Sequence, residues 1–427
     1  MQLTKSCTIN PDTESKIVLN SLCYATRKLW NVANYERRQW KKDTGTPYPN
    51  WYDQKKRLKN HFWYKNLPSQ SAQELLAVLH RSWKSFYGLV KTGGIENPKP
   101  PRYKHRNFSI HFLNNGFKIM PDNKVQLSLP KQLKDYLKEK YNFMENYLIL
   151  DVPNHLNLKS YTVKTLQIKP LNNGKYGLFF VVDVEKPERK EPDYQKYMSI
   201  DIGVNNFLSC YLYNGKSSIY SGRQLLAINR YYDKTIGYYQ SICDAEQASR
   251  GIEYPKQSKR VTMLYDKRRK QVEHLLHSMT RALIEEALTN KVEVIFIGDI
   301  TNIRGNSNLG KKNNQKFHRL PFRKVIDQIK YKAELKGITV MDDVSEEYTS
   351  QTCSYCKEIP SKENARKSNR KYRGLYICKD CNTVINADIN GAINIAKKYL
   401  EHLSKDRPVV ALDRPIMYRF NGQSFVA

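Results

Sequence analysis

The sequence predicts a mixed α/β and α+β multidomain chain. An α/β layer fills the C-terminal half, and a small β-barrel interrupted by a helical insert fills the N-terminal half. Three observations carry this. Two Cys-x-x-Cys pairs, Cys353/Cys356 and Cys378/Cys381, run directly into a helix-patterned segment that opens with Asp388. Short apolar runs alternate with helical stretches through the second half, whereas the first half gathers hairpin-like runs behind two helices. Lys plus Arg number 72 against 41 Asp plus Glu, a net charge of +31 in 427 residues.

A cationic excess of that size opposes a compact state by self-repulsion unless a polyanion neutralises it, which points to nucleic acid. A membrane surface fits less well, because neither a long apolar run nor a basic amphipathic helix with a clean apolar face is present. The opening MQLTKSCTINPD lacks the apolar core of a secretory signal, so a cytoplasmic, nucleoid-associated location is expected, where thiols stay reduced. Cys7, Cys23, Cys210 and Cys243 are scattered and read as small core residues. Thirty Tyr and five Trp could serve as base-stacking platforms between cations or as ordinary core.

In chain order, MQLTKSCTI alternates like a first strand. Ile17, Leu22, Ala25, Leu29, Trp30 and Ala33 then mark a helix to about Trp40, and Leu75, Leu76, Leu79, Trp83, Phe86 and Tyr87 mark another over Ser69 to Val90. A looser stretch lies between them. Proline-rich ENPKPPRYKHR ends the helical insert, and Lys99, Arg102, Lys104, His105 and Arg106 would form a positive track on its loop. Strand-like runs FSIHFL, FKIM, KVQLSL, YLILDV, LQIKPL and YGLFFVVDV follow, with Asn115-Gly116 and Asn173-Gly174 as expected hairpin turns.

After the polar linker EKPERKEPDYQK, MSIDIGV places Asp201 inside a short apolar strand, and two further strands flank Asn214-Gly215. A long charged helix over Gln257 to Leu288 carries Lys267, Arg268 and Arg269. VEVIFI is a strand buried on both faces, a helix runs from Phe322 to Lys336, and ITVMDD is another strand. The resulting order, β-β-β-α-β-α-β and then the Asp388 helix, matches an RNase H-like layer with the Asp201 strand central. Ile389, Ile393, Ala396, Leu400 and Leu403 make that helix's core stripe, with Asp388 at its edge. Acids gathered at the strands' carboxyl ends could hold two Mg²⁺ ions for phosphodiester hydrolysis. The four cysteines would converge on one structural Zn²⁺, with two disulfides or unrelated core thiols as the competing readings.

SIDIGVNNFLS, Tyr331-Lys332-Ala333-Glu334 with Gly337-Ile338, YTSQTC with the four cysteines, NADINGAINIA and PKPPRYKHR resemble the TnpB (OrfB) transposon-associated proteins, relatives of the type V CRISPR effectors. The resemblance spans nearly the whole chain, specifically in the C-terminal half and loosely in the N-terminal half. It implies an RNA-guided DNA endonuclease with guide RNA and double-stranded DNA as partners. The implied organisation is a first wedge strand (1–12), a helical recognition domain (13–95), a wedge β-barrel (96–188), a RuvC nuclease domain (189–350) and a zinc ribbon (351–383). A RuvC helix (384–403) and a tail (404–427) complete it. Asp201 matches the first acid of the family pattern and Asp388 the last. The middle acid departs: Phe296-Ile297-Gly298-Asp299 puts glycine where the family usually has glutamate. Asp299 could substitute, yet strand alternation turns it away unless the strand has ended. Ser345-Glu346-Glu347-Tyr348 ends the neighbouring strand, and the resemblance implies Glu346 as a relocated acid, with Glu347 and Asp299 behind it. Lys99, Arg102, Lys104, Arg106, Lys267, Arg268 and Arg269 are the expected nucleic-acid contacts. A nuclease-dead RNA-guided repressor and a DNA-joining transposase are the competing functions.

Overall fold

In the computed structural model the alternating N-terminus is β1 (Gln2–Ile9), and α1 (Thr13–Gln39) follows, capped by Asp12, whose carboxylate accepts from Ser15 N at 2.9 Å. The structure describes residues 1–40, 48–187, 191–300, 314, 318–356, 359–372, 374–402 and 414–427. Its two units are Met1–Glu185 and Lys186–Ala427.

In the first unit, the stretch expected to be loose contains α2 (Trp51–Leu58) and α3 (Phe62–Lys65), and α4 (Ser69–Thr92) completes the helical part. Leu22, Leu29 and Trp30 of α1 share one core with Leu76, Leu79 and Trp83 of α4. Trp83 Nε1 donates to the buried Asn34 Oδ1 at 2.9 Å, so the contact is polar as well as apolar. The strand-like runs become β2 (Ile110–Leu113), β3 (Phe117–Ile119), β4 (Lys124–Ser128), then α5 (Lys131–Tyr141), β5 (Tyr147–Asp151), β6 (Thr162–Pro170) and β7 (Tyr176–Asp183). They sort into two sheets, β1-β7-β6-β2 and β3-β4-β5, and β1 pairs antiparallel with β7.

One expectation for this unit is corrected. Asn115-Gly116 is not a hairpin turn: β2 pairs with β6 and β3 with β4, so this turn carries the chain from one sheet to the other. Asn173-Gly174 does join paired strands, with Gly174 at φ +69°. Helix α5 went unread because Leu133 and Leu137 are its only buried residues, too few to make a periodic signal.

The second unit begins with β8 (Tyr197–Asp201), β9 (Asn206–Leu212) and β10 (Ser217–Ser221), followed by α6 (Arg223–Ser249) and α7 (Lys259–Thr289). Then come β11 (Val294–Asp299), α8 (Phe322–Glu334) and β12 (Thr339–Ser345). A small antiparallel sheet, β13 (Arg370–Tyr372), β14 (Leu375–Ile377) and β15 (Val384–Asn386), leads into α9 (Ala387–His402). Two C-terminal strands, β16 (Ile416–Phe420) and β17 (Phe425–Val426), finish the main sheet, whose order is β12-β11-β8-β9-β10-β16-β17. As expected, β8, β11 and β12 run parallel side by side.

Helix α6 corrects the element order, which is β-β-β-α-α-β-α-β in place of a single helix after β10. Only Leu225, Asn229, Tyr232 and Ile236 of its 27 residues are buried, which leaves little apolar stripe to read. The tail, for which the sequence offered no reading, adds β16 parallel to β10; Tyr418 stacks on Tyr220 with centroids 4.7 Å apart. Arg414 and Arg419 lie in this described part, whereas Leu403 and Arg407 fall outside the described residues.

The sheet is covered on both faces, which explains its continuous apolar runs. Ile295 and Ile297 of β11 pack with Leu276, Met279 and Ile329 of α7 and α8 on one face. Val294 and Phe296 pack with Ile389, Ile393, Ala396 and Tyr399 of α9 on the other. Cys23 and Cys210 are buried as expected, while Cys7 and Cys243 are only half-buried. Among the described residues no helix is long and apolar enough to cross a membrane.

Candidate active site and metal centre

Asp201 ends β8, Asp299 ends β11, Glu346 follows the last residue of β12, and Asp388 lies in the first turn of α9. Parallel strands carry the first three acids to one end of the sheet, and α9 packs across β8, β9 and β11 to bring the fourth. Asn386 starts that helix by accepting from Asp388 N at 2.9 Å and Ile389 N at 3.3 Å.

Two glycines make room for the acids. A Cβ built on Gly391 of α9 would lie 2.8 Å from Asp201 Oδ2, so the helix can cross β8 there only without a side chain. A Cβ on Gly298 would lie 2.6 Å from Glu346 Cδ, and closer still to other Glu346 atoms. The Glu346 carboxylate therefore occupies the volume that a side chain at 298 would need. Around this point the β11/β12 register shifts between Phe296 and Gly298. Tyr399 of α9 fills the irregularity: its hydroxyl donates to Ile297 O at 2.9 Å and accepts from Asp343 N at 2.8 Å and Val344 N at 3.1 Å. Its ring stacks on Phe296 with centroids 4.6 Å apart. Lys398 Nζ donates to Ser345 O at 3.0 Å and Glu347 O at 2.7 Å, clamping the backbone on either side of Glu346.

Burial pushes the Asp201 carboxyl well above the ordinary range, the Asp388 charge adds to this, and Arg370 opposes it. Burial likewise raises Glu346, with the charges of Asp201 and Asp299 adding and Lys398 opposing. Glu346 Oε1 is buried and has no hydrogen-bond donor among the described residues. An orphaned acceptor among acids that oppose one another's ionisation has the chemistry that a divalent cation relieves, but among the described residues no three of these acids bring their ligand atoms within 4.8 Å of one another. Asp388 is oriented by Asn206 Nδ2, which donates to Oδ2 at 2.7 Å, and by Arg370, 3.6 Å from Oδ1. Asp299 lies close enough for its charge to act on Glu346, and the Glu347 side chain is exposed.

The Sγ atoms of Cys353, Cys356, Cys378 and Cys381 all lie within 4.8 Å of one another, the only such group of three or more His, Cys, Asp or Glu ligand atoms among the described residues. Cys353 and Cys381 are 3.6 Å apart and Cys356 and Cys378 3.8 Å, close to the roughly 3.8 Å edge of a tetrahedron with Zn–S near 2.3 Å. All four are free thiols rather than disulfides. Amides of α9 fasten this knuckle: Asn390 Nδ2 donates to Thr352 O at 2.8 Å and Asn390 Oδ1 accepts from Ser354 N at 2.9 Å. Asn394 Nδ2 reaches Thr349 O and Thr352 O, both at 2.7 Å. One helix thus carries Asp388, the Gly391 gap and the cysteine brace.

Sequence reasoning missed Asn206, Arg370, Gly391, Lys398 and Tyr399. Gly391, Asn390 and Asn394 belong to the NADINGAINIA segment, so a signal was there, but the partners of Asn206 and Tyr399 are distant in sequence. Among the expected nucleic-acid contacts, Lys99, Arg102 and Arg106 are exposed and Lys104 is half-buried, its ammonium 4.9 Å from the Trp30 ring. Their loop is strapped to α1: Asn31 donates to Lys104 O and accepts from Lys104 N at 2.9 and 2.8 Å, and Trp30 Nε1 donates to Arg102 O at 3.1 Å. Lys267 and Arg269 are exposed, and Arg269 pairs with Asp266 at 3.3 Å. Arg268 instead turns inward, donating to Asn229 Oδ1 at 3.1 and 2.7 Å, which ties α7 to α6.

Residues 179–304 match a family described as a probable transposase, and residues 322–395 match the Cas12f1-like TNB domain. The chain is 26% identical over 412 residues to the TnpB-like protein ORF457 of Acidianus two-tailed virus, covering 89% of this chain and 83% of that protein. It is 28% identical over 244 residues to the CRISPR-associated endodeoxyribonuclease Cas12f2 of a Micrarchaeota archaeon, covering 55% of this chain and 42% of that one. The cryo-EM structure of a Cas12f1-sgRNA-target DNA complex superposes with a TM-score of 0.59 at 16% identity, over 90% of this chain and 82% of that chain, a likeness of fold.

Proposed function

Because this chain belongs to the TnpB family, related to the type V CRISPR effectors, we propose that it is an RNA-guided DNA endonuclease with Asp201, Glu346 and Asp388 as its catalytic acids. The observation that carries the assignment of Glu346 is its carboxylate filling the space vacated at Gly298, with one oxygen buried and lacking a donor among the described residues. The three acids would hold two Mg²⁺ ions, which when bound activate water and stabilise the leaving 3′ oxygen. Asn206 holds one Asp388 oxygen, and Lys398 and Tyr399 hold the end of β12.

In this reading residues 1–12 and 96–188 act as the wedge, 13–95 as the helical recognition part, and 189–350 with 384–403 as the RuvC nuclease. The zinc ribbon at 351–383 braces the site through α9 and meets the target strand. A structured RNA would cover the basic surface, with Lys99, Arg102, Lys104, Arg106, Lys267 and Arg269 on phosphates, so binding weakens steeply with salt. Base pairing would choose the DNA sequence, and the protein would read only a short duplex motif.

The test is cleavage of a guide-matched plasmid library in Mg²⁺ by protein purified with its co-expressed flanking RNA. Cutting that vanishes in Asp201→Ala and Glu346→Ala and survives in Asp299→Ala supports the assignment. Guide-dependent DNA binding without cutting would make the protein a targeted repressor, and cutting indifferent to RNA would make it a transposase-like enzyme.

A further inference from the structure

On the α7/α8 side of the sheet, away from α9 and its acids, lies a cavity of about 720 Å³ between α7, α8 and the turn before β17. His277 and Arg281 of α7 line it, together with Tyr331, Lys332 and Lys336 of α8 and Gln423 of the turn. Its walls are fixed. Ser278 Oγ donates to Gln423 O at 3.3 Å, and Tyr331 Oη lies 3.4 Å from His277 Nδ1. Lys332 Nζ donates to His277 O and Thr280 Oγ1, both at 2.7 Å, which leaves one of its three protons for a ligand.

The charges do not balance from within. Three cations, Arg281, Lys332 and Lys336, face a single carboxylate, Glu285. Among the described residues neither the Arg281 nor the Lys336 side chain has an ion-pair or hydrogen-bond partner. Burial and then the Arg281 charge hold the Lys332 ammonium down to about 8. Like charges gathered around a half-buried lysine favour an anion between them. The volume falls within the range of small-ligand sites and exceeds what a lone phosphate needs, and the Tyr331 and His277 rings with Leu335 and Phe425 supply surface for a planar group.

We propose that this cavity binds one nucleotide unit, its phosphate on Arg281, Lys332 and Lys336 and its base against Tyr331 and His277. The RNA strand that the proposed function supplies is the expected source, and a free mononucleotide offers the same chemistry. The inference rests on that function only for the source.

The experiment uses the full chain purified with its co-expressed RNA, irradiated, digested and searched for nucleotide-bearing peptides, alongside amine-reactive labelling of Lys332 and Lys336 with RNA present, removed, or replaced by AMP. The expected result is a cross-link within residues 274–285 or 331–336, with labelling of both lysines suppressed by RNA. Arg281→Gln and Lys336→Gln, both surface changes, should each lower that cross-link about fivefold at 0.15 M salt and leave cross-links elsewhere unchanged. Suppression by AMP but not by RNA would assign the site to a free nucleotide. Cross-links confined to other peptides, with labelling indifferent to both RNA and AMP, would overturn the proposal. Failure of any RNA to co-purify, with AMP still protecting the lysines, would overturn the guide reading and keep the site.

Discussion

Gly298 and Glu346 exclude each other's side chains: a Cβ at 298 would lie 2.6 Å from the Glu346 Cδ. Neighbouring parallel strands thus offer one volume that either position can fill with an acid. Gly298→Ala is expected to push the Glu346 carboxylate aside and slow cleavage about a hundredfold, the scale of an ångström-sized misplacement. Gly298→Glu combined with Glu346→Gly should recover a measurable part of the rate. Single-turnover cleavage of guide-matched DNA by the two variants checks this, and a double variant as dead as Glu346→Ala would show that the volume alone does not define the acid.

Tyr399→Phe keeps the ring stacked on Phe296 and removes only the hydroxyl. Ile297 O, Asp343 N and Val344 N then lose their shared partner beside the β11/β12 irregularity. Leaving the buried Ile297 O without its donor costs about 1–3 kcal/mol, and the two part-buried amides cost less. Thermal unfolding of the second unit should shift down, and cleavage should fall more than the stability loss explains, because the same bonds hold the segment leading to Glu346. Unchanged cleavage at full occupancy of the fold would reduce Tyr399 to a packing residue.

The uneven legibility of this chain follows from which interactions are local. The cysteine spacing, the Asp201 strand and the α9 stripe are repeating patterns within a few residues, and the structure reproduces them. Helix α6 buries one narrow stripe, and β16 finds its partner β10 across nearly 200 residues of chain, so neither leaves a local signal. At the site, Gly298 looked like a loss when read along β11 alone. Its meaning depends on β12, which lies beside it in space and about 45 residues further along the chain.

Glu286 offers a pH signature away from the acids. It is a half-buried acceptor for Ser218 Oγ at 2.9 Å and Tyr220 Oη at 2.8 Å, and desolvation raises its carboxyl above the ordinary glutamate value against those bonds. A raised folded value means the native state binds more protons than the unfolded chain. Its contribution is therefore complete below the unfolded value and is lost as pH rises towards the folded one. Glu286→Gln retains an oxygen for both hydroxyls and abolishes the titration. The variant should be as stable as wild type or more so at neutral pH, with a flatter profile of unfolding temperature above the ordinary glutamate range; a profile parallel to wild type would assign the slope to other groups.

The cysteine cluster and α9 make a last pair of expectations that separate metal from brace. Elemental analysis of the purified chain should find one zinc, and Cys378→Ser should abolish it, since three sulfurs leave the tetrahedron open. Asn390→Ala removes the bonds to Thr352 O and Ser354 N without touching a sulfur. It should keep the zinc yet lower the unfolding temperature, because Thr352 O retains Asn394 while Ser354 N is left without its side-chain acceptor. If the knuckle braces the site through α9, cleavage should fall in both variants, and more in Cys378→Ser. Full cleavage by zinc-free protein would instead confine the ribbon to binding and detach it from the geometry of Asp388.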